Sequence, residues 1–438
     1  MATKSVAKQA AKPAKSDKQK LYTNTKSRAL FKKAVNVIPA GIPGHLGPVE
    51  SQFIPVESFP FYAQRAKDSY FWDIDGNKYI DLMCAYGPNV LGYNNKAVND
   101  AALAQLKDGD CMALPGAVQV ELADLLCNTI EIAKWAFFLK NGGDATTFAV
   151  MIAKAATNRD KIIRLEGGYH GVAPWTQALK AAGVSDTDVV NNIILPFNDV
   201  EAVRNAIKQN EGKIAAFIAT PYDHRIFADN QLPIEGYWQE IRKLCSENGI
   251  VLIVDDVRCG FRLSIKGSAH YFGFKPDLAC YCKALANGYN ISAVVGSEDF
   301  RQAATKVFYT GSYWSSAMPM AAAVACIKEL KRLKGDKLML QKGKKLCDGL
   351  VKTASSHGID FKVSGAESMP YFRITNDDSL LMHQRWCEQM VRRGVFVVSH
   401  HNHFINCSLT DDDIKRIIQI SDEAFSIVAK ENPSKLLK

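Results

Sequence analysis

Gly249-Ile-Val-Leu-Ile-Val-Asp-Asp-Val-Arg258 is followed within the chain by Asp277-Leu-Ala-Cys-Tyr-Cys-Lys283-Ala-Leu-Ala-Asn-Gly288. Each stretch is a short apolar run closed by a charged residue, the pattern of a buried parallel strand that delivers one side chain at its carboxyl end. Ligands sit at such ends in open α/β sheets. Asp255 and Lys283 are therefore expected at a common site. Strand-end Asp and Lys also occur as solvated loop residues, so these two residues alone leave both readings open.

Outward from this pair, further strands are read at 133–139, 161–166, 214–219 and 291–295, with mostly helical stretches between them. Repeated alternation of strand and helix predicts a largely parallel sheet covered on both faces. Ahead of it, a helix over 27–37 leads to Tyr70-Phe-Trp-Asp-Ile-Asp-Gly-Asn-Lys-Tyr-Ile-Asp81, where alternation around Asp75-Gly76 predicts a hairpin. Beyond Met318 a long helix precedes strands at 369–374, 394–398 and 404–408, and Thr410-Asp-Asp-Asp413 starts a last helix with a capping box. The expected organisation is a basic tail over 1–20, a segment 21–84 that joins a small α+β domain, a large α/β domain over 85–316, and the rest of the small domain over 317–438.

With 438 residues, 47% of them hydrophobic and 23% charged, the composition is that of a soluble globular protein with a large core. No apolar run reaches the roughly 20 residues of a membrane span, and the amino terminus has no secretory apolar segment; a cytoplasmic location is expected. Eleven cysteines without paired spacing predict reduced thiols in a core. Of the net charge of +9, residues 1–20 carry +5 from six lysines and one aspartate, which reads as a disordered tail. The remainder has no basic stripe with interleaved aromatics, so no nucleic-acid partner is expected.

Chemistry-bearing residues collect around the strand ends. Strand 133–139 runs into Lys140-Asn-Gly-Gly-Asp-Ala-Thr-Thr147 and a helix read from Phe148. A helix start of this kind offers backbone N–H groups and a positive dipole end to a phosphate, although the loop taken alone reads better as a tight turn capped by Asp144. Asp144 would repel a phosphate and should turn away, leaving the contact to amides and to the Thr146 or Thr147 hydroxyl. Neither the dinucleotide fingerprint nor the nucleoside-triphosphate loop occurs. An acid and a lysine at neighbouring strand ends fit pyridoxal phosphate, where lysine forms a Schiff base and a carboxylate pairs with the pyridinium nitrogen. His400-His401-Asn402-His403 invites a metal reading, but on a strand only His401 and His403 share a face. No metal is expected, and one of these histidines is expected at the substrate pocket.

From about residue 27 onward the chain resembles the class III aminotransferases of the fold type I pyridoxal-phosphate enzymes, most of all the glutamate-1-semialdehyde aminomutase branch. The resemblance rests on the hairpin sequence above, Tyr86-Gly-Pro-Asn-Val-Leu-Gly92, Asn141-Gly-Gly-Asp-Ala145, Gly168-Tyr-His-Gly171, Val254-Asp-Asp-Val-Arg-Cys-Gly-Phe-Arg262 and Cys282-Lys-Ala-Leu-Ala-Asn-Gly288, in that order. It implies that Lys283 binds the cofactor covalently and then moves a proton, and that Asp255 holds the pyridine nitrogen protonated. Tyr169 would stack on the ring with His170 close by, and Val257 would pack on the other face. Gly142, Gly143 and Asp144 would hold the phosphate. Ser312 would reach the partner's phosphate across a homodimer with shared active sites. His45, Tyr86, Trp175, Tyr313, Trp314 and His401 are expected to line the substrate pocket.

Three departures bear on the substrate. Glu50 follows Pro48-Val49 where the aminomutase branch tends to have an arginine suited to a carboxylate; Thr220 and Trp314-Ser315-Ser316 also differ from the usual pattern. The expectation is an aminotransferase moving an amino group between an amine or amino acid, including amino sugars and specialised metabolites, and a carbonyl acceptor. The alternatives are an aminomutase and a non-catalytic protein with a basic tail, the latter opposed by the intact Asp255 and Lys283.

Overall fold

The computed structural model describes residues 21–42, 58–375 and 377–431. The tail over 1–20, His45 and Glu50 lie outside them. After the helix Thr25–Ala34, strands β1 (Ala63–Lys67), β2 (Tyr70–Asp73) and β3 (Lys78–Asp81) form an antiparallel meander. Its second turn falls at the expected Asp75-Gly76, where Gly76 takes φ 88°, a conformation that favours glycine.

The large sheet contains β4 (Trp135–Leu139), β5 (Lys161–Leu165), β6 (Asn192–Leu195), β7 (Ile214–Ala219), β8 (Val251–Asp255), β9 (Leu278–Tyr281) and β10 (Ser292–Gly296). Their spatial order is β4-β10-β9-β8-β7-β5-β6. β10 runs antiparallel to both of its neighbours and the other pairings are parallel. Every residue of β7 and β8 is buried, as strands covered on both faces require. The faces separate by alternation: Val251 and Ile253 pack with Phe148 of the helix Gly142–Thr157, while Leu252 and Val254 join Trp238 and Ile241 of the helix Tyr237–Glu247.

The chain continues through helices Ala317–Leu333 and Gly335–Ser356 into the antiparallel pair β11 (Phe361–Ser364) and β12 (Tyr371–Ile374). After the helix Leu381–Val391, β13 (Val395–Phe396) pairs in parallel with β3, so the amino-terminal meander and the carboxyl-terminal segment share one sheet. The last helix, Asp411–Val428, starts as expected: Thr410 Oγ1 accepts from the Asp413 amide at 3.0 Å, and Asp413 accepts from the Thr410 amide at 2.8 Å.

Several expectations are corrected. Residues 404–408 form no strand; the Phe404 amide donates to Leu82 O, the Ile405 amide to Ser368 O and the Cys407 amide to Val90 O, so backbone partners come from three places rather than one ladder. His401 and His403 consequently share no strand face. The 142–157 helix begins at Gly142 rather than Phe148: Asn141 and Asp144 form a capping box around its first turn, which outweighs the low helix propensity of the two glycines. The short strands β6 and β11 were not expected; each has only four residues, too few for a period to stand out. Eight of the eleven free cysteines are buried, as core thiols should be.

Beside the site, Asp256 is buried and accepts the Ser268 amide at 2.9 Å. Burial pushes its carboxyl up to about 6 from the ordinary 3.8. A raised folded-state pKa means that this stabilisation is complete below the unfolded value and is lost as pH rises through about 6. Asp256→Asn, which removes the ionisation, is expected to stabilise the protein at pH 8 by up to about 3 kcal/mol relative to its effect at pH 4. Denaturant unfolding at the two pH values measures the difference, and an equal effect at both would contradict it.

Candidate active site

The parallel register of β8 and β9 pairs Asp255 with Cys280, and three residues further on the chain reaches Lys283. Adjacent parallel strands therefore deliver the acid and the lysine to one sheet edge. Asp255 is 3% exposed. Its Oδ2 lies 2.8 Å from His170 Nδ1, and its Oδ1 accepts the Val257 amide at 3.1 Å. Both oxygens are thus held before any ligand arrives.

Lys283 has φ 30°, in the left-handed region that a side-chain-bearing residue enters at a cost. Its Nζ donates to Tyr86 O at 2.9 Å. Cys84, Ala85 and Tyr86 are themselves left-handed, at φ 47°, 56° and 63°. This run turns the Tyr86 carbonyl toward the lysine. Burial, together with the nearby Arg258 guanidinium, pushes the Lys283 amine down to about 7. A lysine in that state is a competent nucleophile at neutral pH.

At the end of β4, Asp144 turns back to accept the Asn141 amide at 2.8 Å, which leaves the Gly142 and Gly143 amides of the helix Gly142–Thr157 for an anion. A Cβ on Gly142 would stand 2.8 Å from Val257 Cγ1, and one on Gly171 2.5 Å from Gly143 Cα. Backbone and valine thus close on each other as only glycine permits. Thr146 Oγ1 is turned inward and donates to His170 O at 2.5 Å, so its hydroxyl is not presented to a phosphate. Thr147 Oγ1 accepts from Trp175 Nε1 at 3.1 Å and retains its own proton for a ligand. His170 Nε2 is buried without a hydrogen-bond partner among the described residues. An amine nucleophile, a buried carboxylate, a glycine-lined helix start and this unsatisfied ring nitrogen are a donor set that fits pyridoxal phosphate.

Other expected residues fall into two groups. Trp175 lies parallel to the His170 ring at 6.5 Å, and Tyr86 meets His401 edge-on at 5.2 Å. His401 is buried and pushed well below the ordinary histidine range by burial and then by Arg258, so it is neutral. Tyr169 is 57% exposed. Ser312, Tyr313 and Trp314 instead line a separate groove of about 470 Å³ with Asn141 and Asp144. That groove does not include Lys283 or Asp255. His403 stacks on Phe372 at 4.7 Å, away from Tyr86.

Arg258 was not singled out from the sequence. Its Nη1 meets His224 Nδ1 at 2.8 Å and donates to His224 O at 2.9 Å and Asn402 Oδ1 at 3.1 Å. The available signal was its position three residues past Asp255, on the loop that also carries Val257.

The profile of the family described as aminotransferase class-III matches residues 53–424. An aminopentol aminotransferase of Sphingopyxis macrogoltabida is 38% identical, over 94% of this chain and 96% of that protein. A 3-aminobutyryl-CoA aminotransferase of Cloacimonas acidaminovorans is 32% identical, over 92% and 98%, and a glutamate-1-semialdehyde 2,1-aminomutase of Methanocaldococcus jannaschii 31%, over 91% and 98%. Among solved structures, the PLP internal aldimine form of the FumI protein of Sphingopyxis sp. MTA144 superposes with a TM-score of 0.90 at 38% identity, covering 94% of this chain and 100% of that one.

Two outcomes follow from this geometry. In cofactor-free protein, the rate at which Lys283 captures pyridoxal should rise with pH through a midpoint near 7 rather than near the ordinary lysine value, as followed by absorbance. Gly171→Ala should weaken pyridoxal phosphate binding by about tenfold or more in a spectral titration, because the added methyl meets backbone; unchanged affinity would show that the contact is not constrained.

Proposed function

The chain belongs to the class III aminotransferases, pyridoxal-phosphate enzymes of fold type I, and on that premise we propose that Lys283, Asp255 and the start of the Gly142–Thr157 helix operate the cofactor on an amine carried by a largely uncharged chain. The observation that carries the assignment is the pairing, at one sheet edge, of a lysine held at about 7 with a carboxylate fixed through both oxygens. When bound, pyridoxal 5'-phosphate supplies an aldehyde for covalent capture of the amine and a pyridinium that draws electrons from the substrate carbon. Lys283 Nζ holds and returns the proton of that carbon. Asp255, kept in place by His170 and the Val257 amide, stabilises the pyridinium charge. The Gly142 and Gly143 amides would take the phosphate and Val257 and Tyr169 would flank the ring, while Trp175 lies parallel to His170.

A donor without a carboxylate is supported by the aminopentol aminotransferase standing at 38% identity against 31% for the Methanocaldococcus aminomutase. The neutral His401 against Tyr86, and Glu50 in the sequence, support it as well. Ser312 reaching a partner's phosphate in a homodimer belongs to the same reading, supported by the exposed Phe308 at 89% and Tyr313 at 69% beside it. So does the division into a cofactor-holding unit over 85–316 and a smaller unit over 317–438.

Lys283→Ala is expected to abolish the borohydride-trapped cofactor adduct, and an adduct retained on another residue would remove the assignment. Asp255→Asn should still bind cofactor while losing at least about a hundredfold in transamination, measured as steady-state rate. In single turnover, mixing the enzyme with a primary amine should release stoichiometric carbonyl product, with recovery on adding a separate acceptor. Efficient conversion of glutamate-1-semialdehyde to 5-aminolevulinate with no second substrate would favour the aminomutase reading instead.

A further inference from the structure

Between the loops that follow β5 and β7 lies a cavity of about 10 Å³, room for about one water molecule. Two buried histidines line it: His170, 2% exposed, from the first loop, and His224, 7% exposed, from the second. Nε2 of each ring is buried without a hydrogen-bond partner among the described residues. A Cβ on Gly168, which lines the same cavity, would stand 3.0 Å from His170 Nε2, so that nitrogen is turned toward this wall. His224 Nδ1 is turned instead to Arg258, which does not line the cavity.

The partners on the far side of each ring fix which nitrogen carries the proton. A carboxylate only accepts, so His170 Nδ1, 2.8 Å from Asp255 Oδ2, is protonated, and in a neutral ring Nε2 is then an acceptor. A guanidinium only donates, so His224 Nδ1, 2.8 Å from Arg258 Nη1, accepts. Burial and then Arg258 push His224 well below the ordinary histidine range, so its ring is neutral and its Nε2 carries the proton. One wall of the cavity thus offers an acceptor and the other a donor, and the two do not bond each other. Thr220 Oγ1, on the same wall as His224, gives its proton to Tyr222 O at 2.9 Å and can only accept a further bond. Of the acids that line the cavity, Asp223 is bound by Arg225 at 2.6 Å and Glu166 is exposed.

We propose that one ordered water occupies this cavity, accepting from His224 Nε2 and donating to His170 Nε2 and Thr220 Oγ1, and that His224 is thereby a positioning residue for Asp255. Three polar partners are what a buried water ordinarily takes. The water holds His170 in the tautomer that presents a proton to the carboxylate. Were that proton on Nε2, Nδ1 would turn a lone pair to Asp255, and the buried charge would lose a donor. From Arg258 through His224, the water and His170 to Asp255, every bond then runs from donor to acceptor. The inference rests on the proposed role of Asp255 at the ring nitrogen of the cofactor.

The test titrates full-length protein, stripped of cofactor, with pyridoxal 5'-phosphate and with its 1-deaza analogue, whose ring has carbon in place of the nitrogen. Absorbance gives the two dissociation constants, and the parent should prefer pyridoxal phosphate. H224N keeps an acceptor for Arg258 where Nδ1 stood and loses the donor into the cavity, so the preference should fall by about tenfold. H224Q places an amide N–H where Nε2 stood and should hold the preference within about twofold of the parent's. H224L, which removes both groups, should match H224N and replaces it if H224N does not fold. A preference unchanged in H224N and H224L would overturn the role of His224. So would an equal loss of affinity for both cofactors, which would mark a packing contact. H224Q falling as far as H224N would overturn the bridging water. A parent that binds both cofactors equally would overturn the reading of Asp255 itself, a failure separate from that of the histidine.

Discussion

Asp255 keeps a carboxylate at the end of an all-buried strand, and His170 and the Val257 amide offset what that burial costs. The surrounding architecture follows from satisfying that one group. β8 is central in the seven-stranded sheet, so a side chain at its carboxyl end is screened from water by strands and helices on every side. The His170 partner comes from the loop after β5, and that loop is itself pinned where Gly171 meets Gly143. Removing any of these supports leaves a buried charge short of a partner rather than merely loosening a loop.

Much of the fold was legible because its buried strands are near-continuous apolar runs. Ile214–Ala219 was read at its observed limits, and β8 and β9 within one residue. Asp255 and Lys283 stood out as the charges that close such runs, although that pattern alone also fits solvated loop residues; the structure brings the two to one sheet edge. The resemblance supplied Tyr169, His170 and Val257, which lie in loops and carry no period. What could not be read were features fixed by tertiary partners. The 404–408 stretch alternates like a strand, yet its backbone groups bond to Leu82, Ser368 and Val90. Arg258 looked like an ordinary loop cation until His224 and Asn402 were seen on the same nitrogen.

Two arginines on this loop meet burial differently. Arg262 is fully buried and donates to Ile405 O at 2.7 Å and to Gly87 O, with Phe404 beneath its guanidinium at 5.0 Å. It ties the Tyr86 turn to the carboxyl-terminal segment, its two oxygen acceptors both being backbone carbonyls. Arg258, four residues earlier, is half-buried, and its Nη1 bonds His224 and Asn402. Both join distant parts of the chain, the first through backbone carbonyls and the second through His224 and Asn402.

The left-handed run at Cys84, Ala85 and Tyr86 has an evolutionary consequence. The lysine is held by a backbone carbonyl there, so its anchor does not depend on which side chain occupies position 86. The Tyr86 ring faces His401 instead. The wall of the pocket can therefore be rewritten by point mutation while the nucleophile stays where it is. On the proposed function, a chain built this way can change the amine it accepts without moving the lysine.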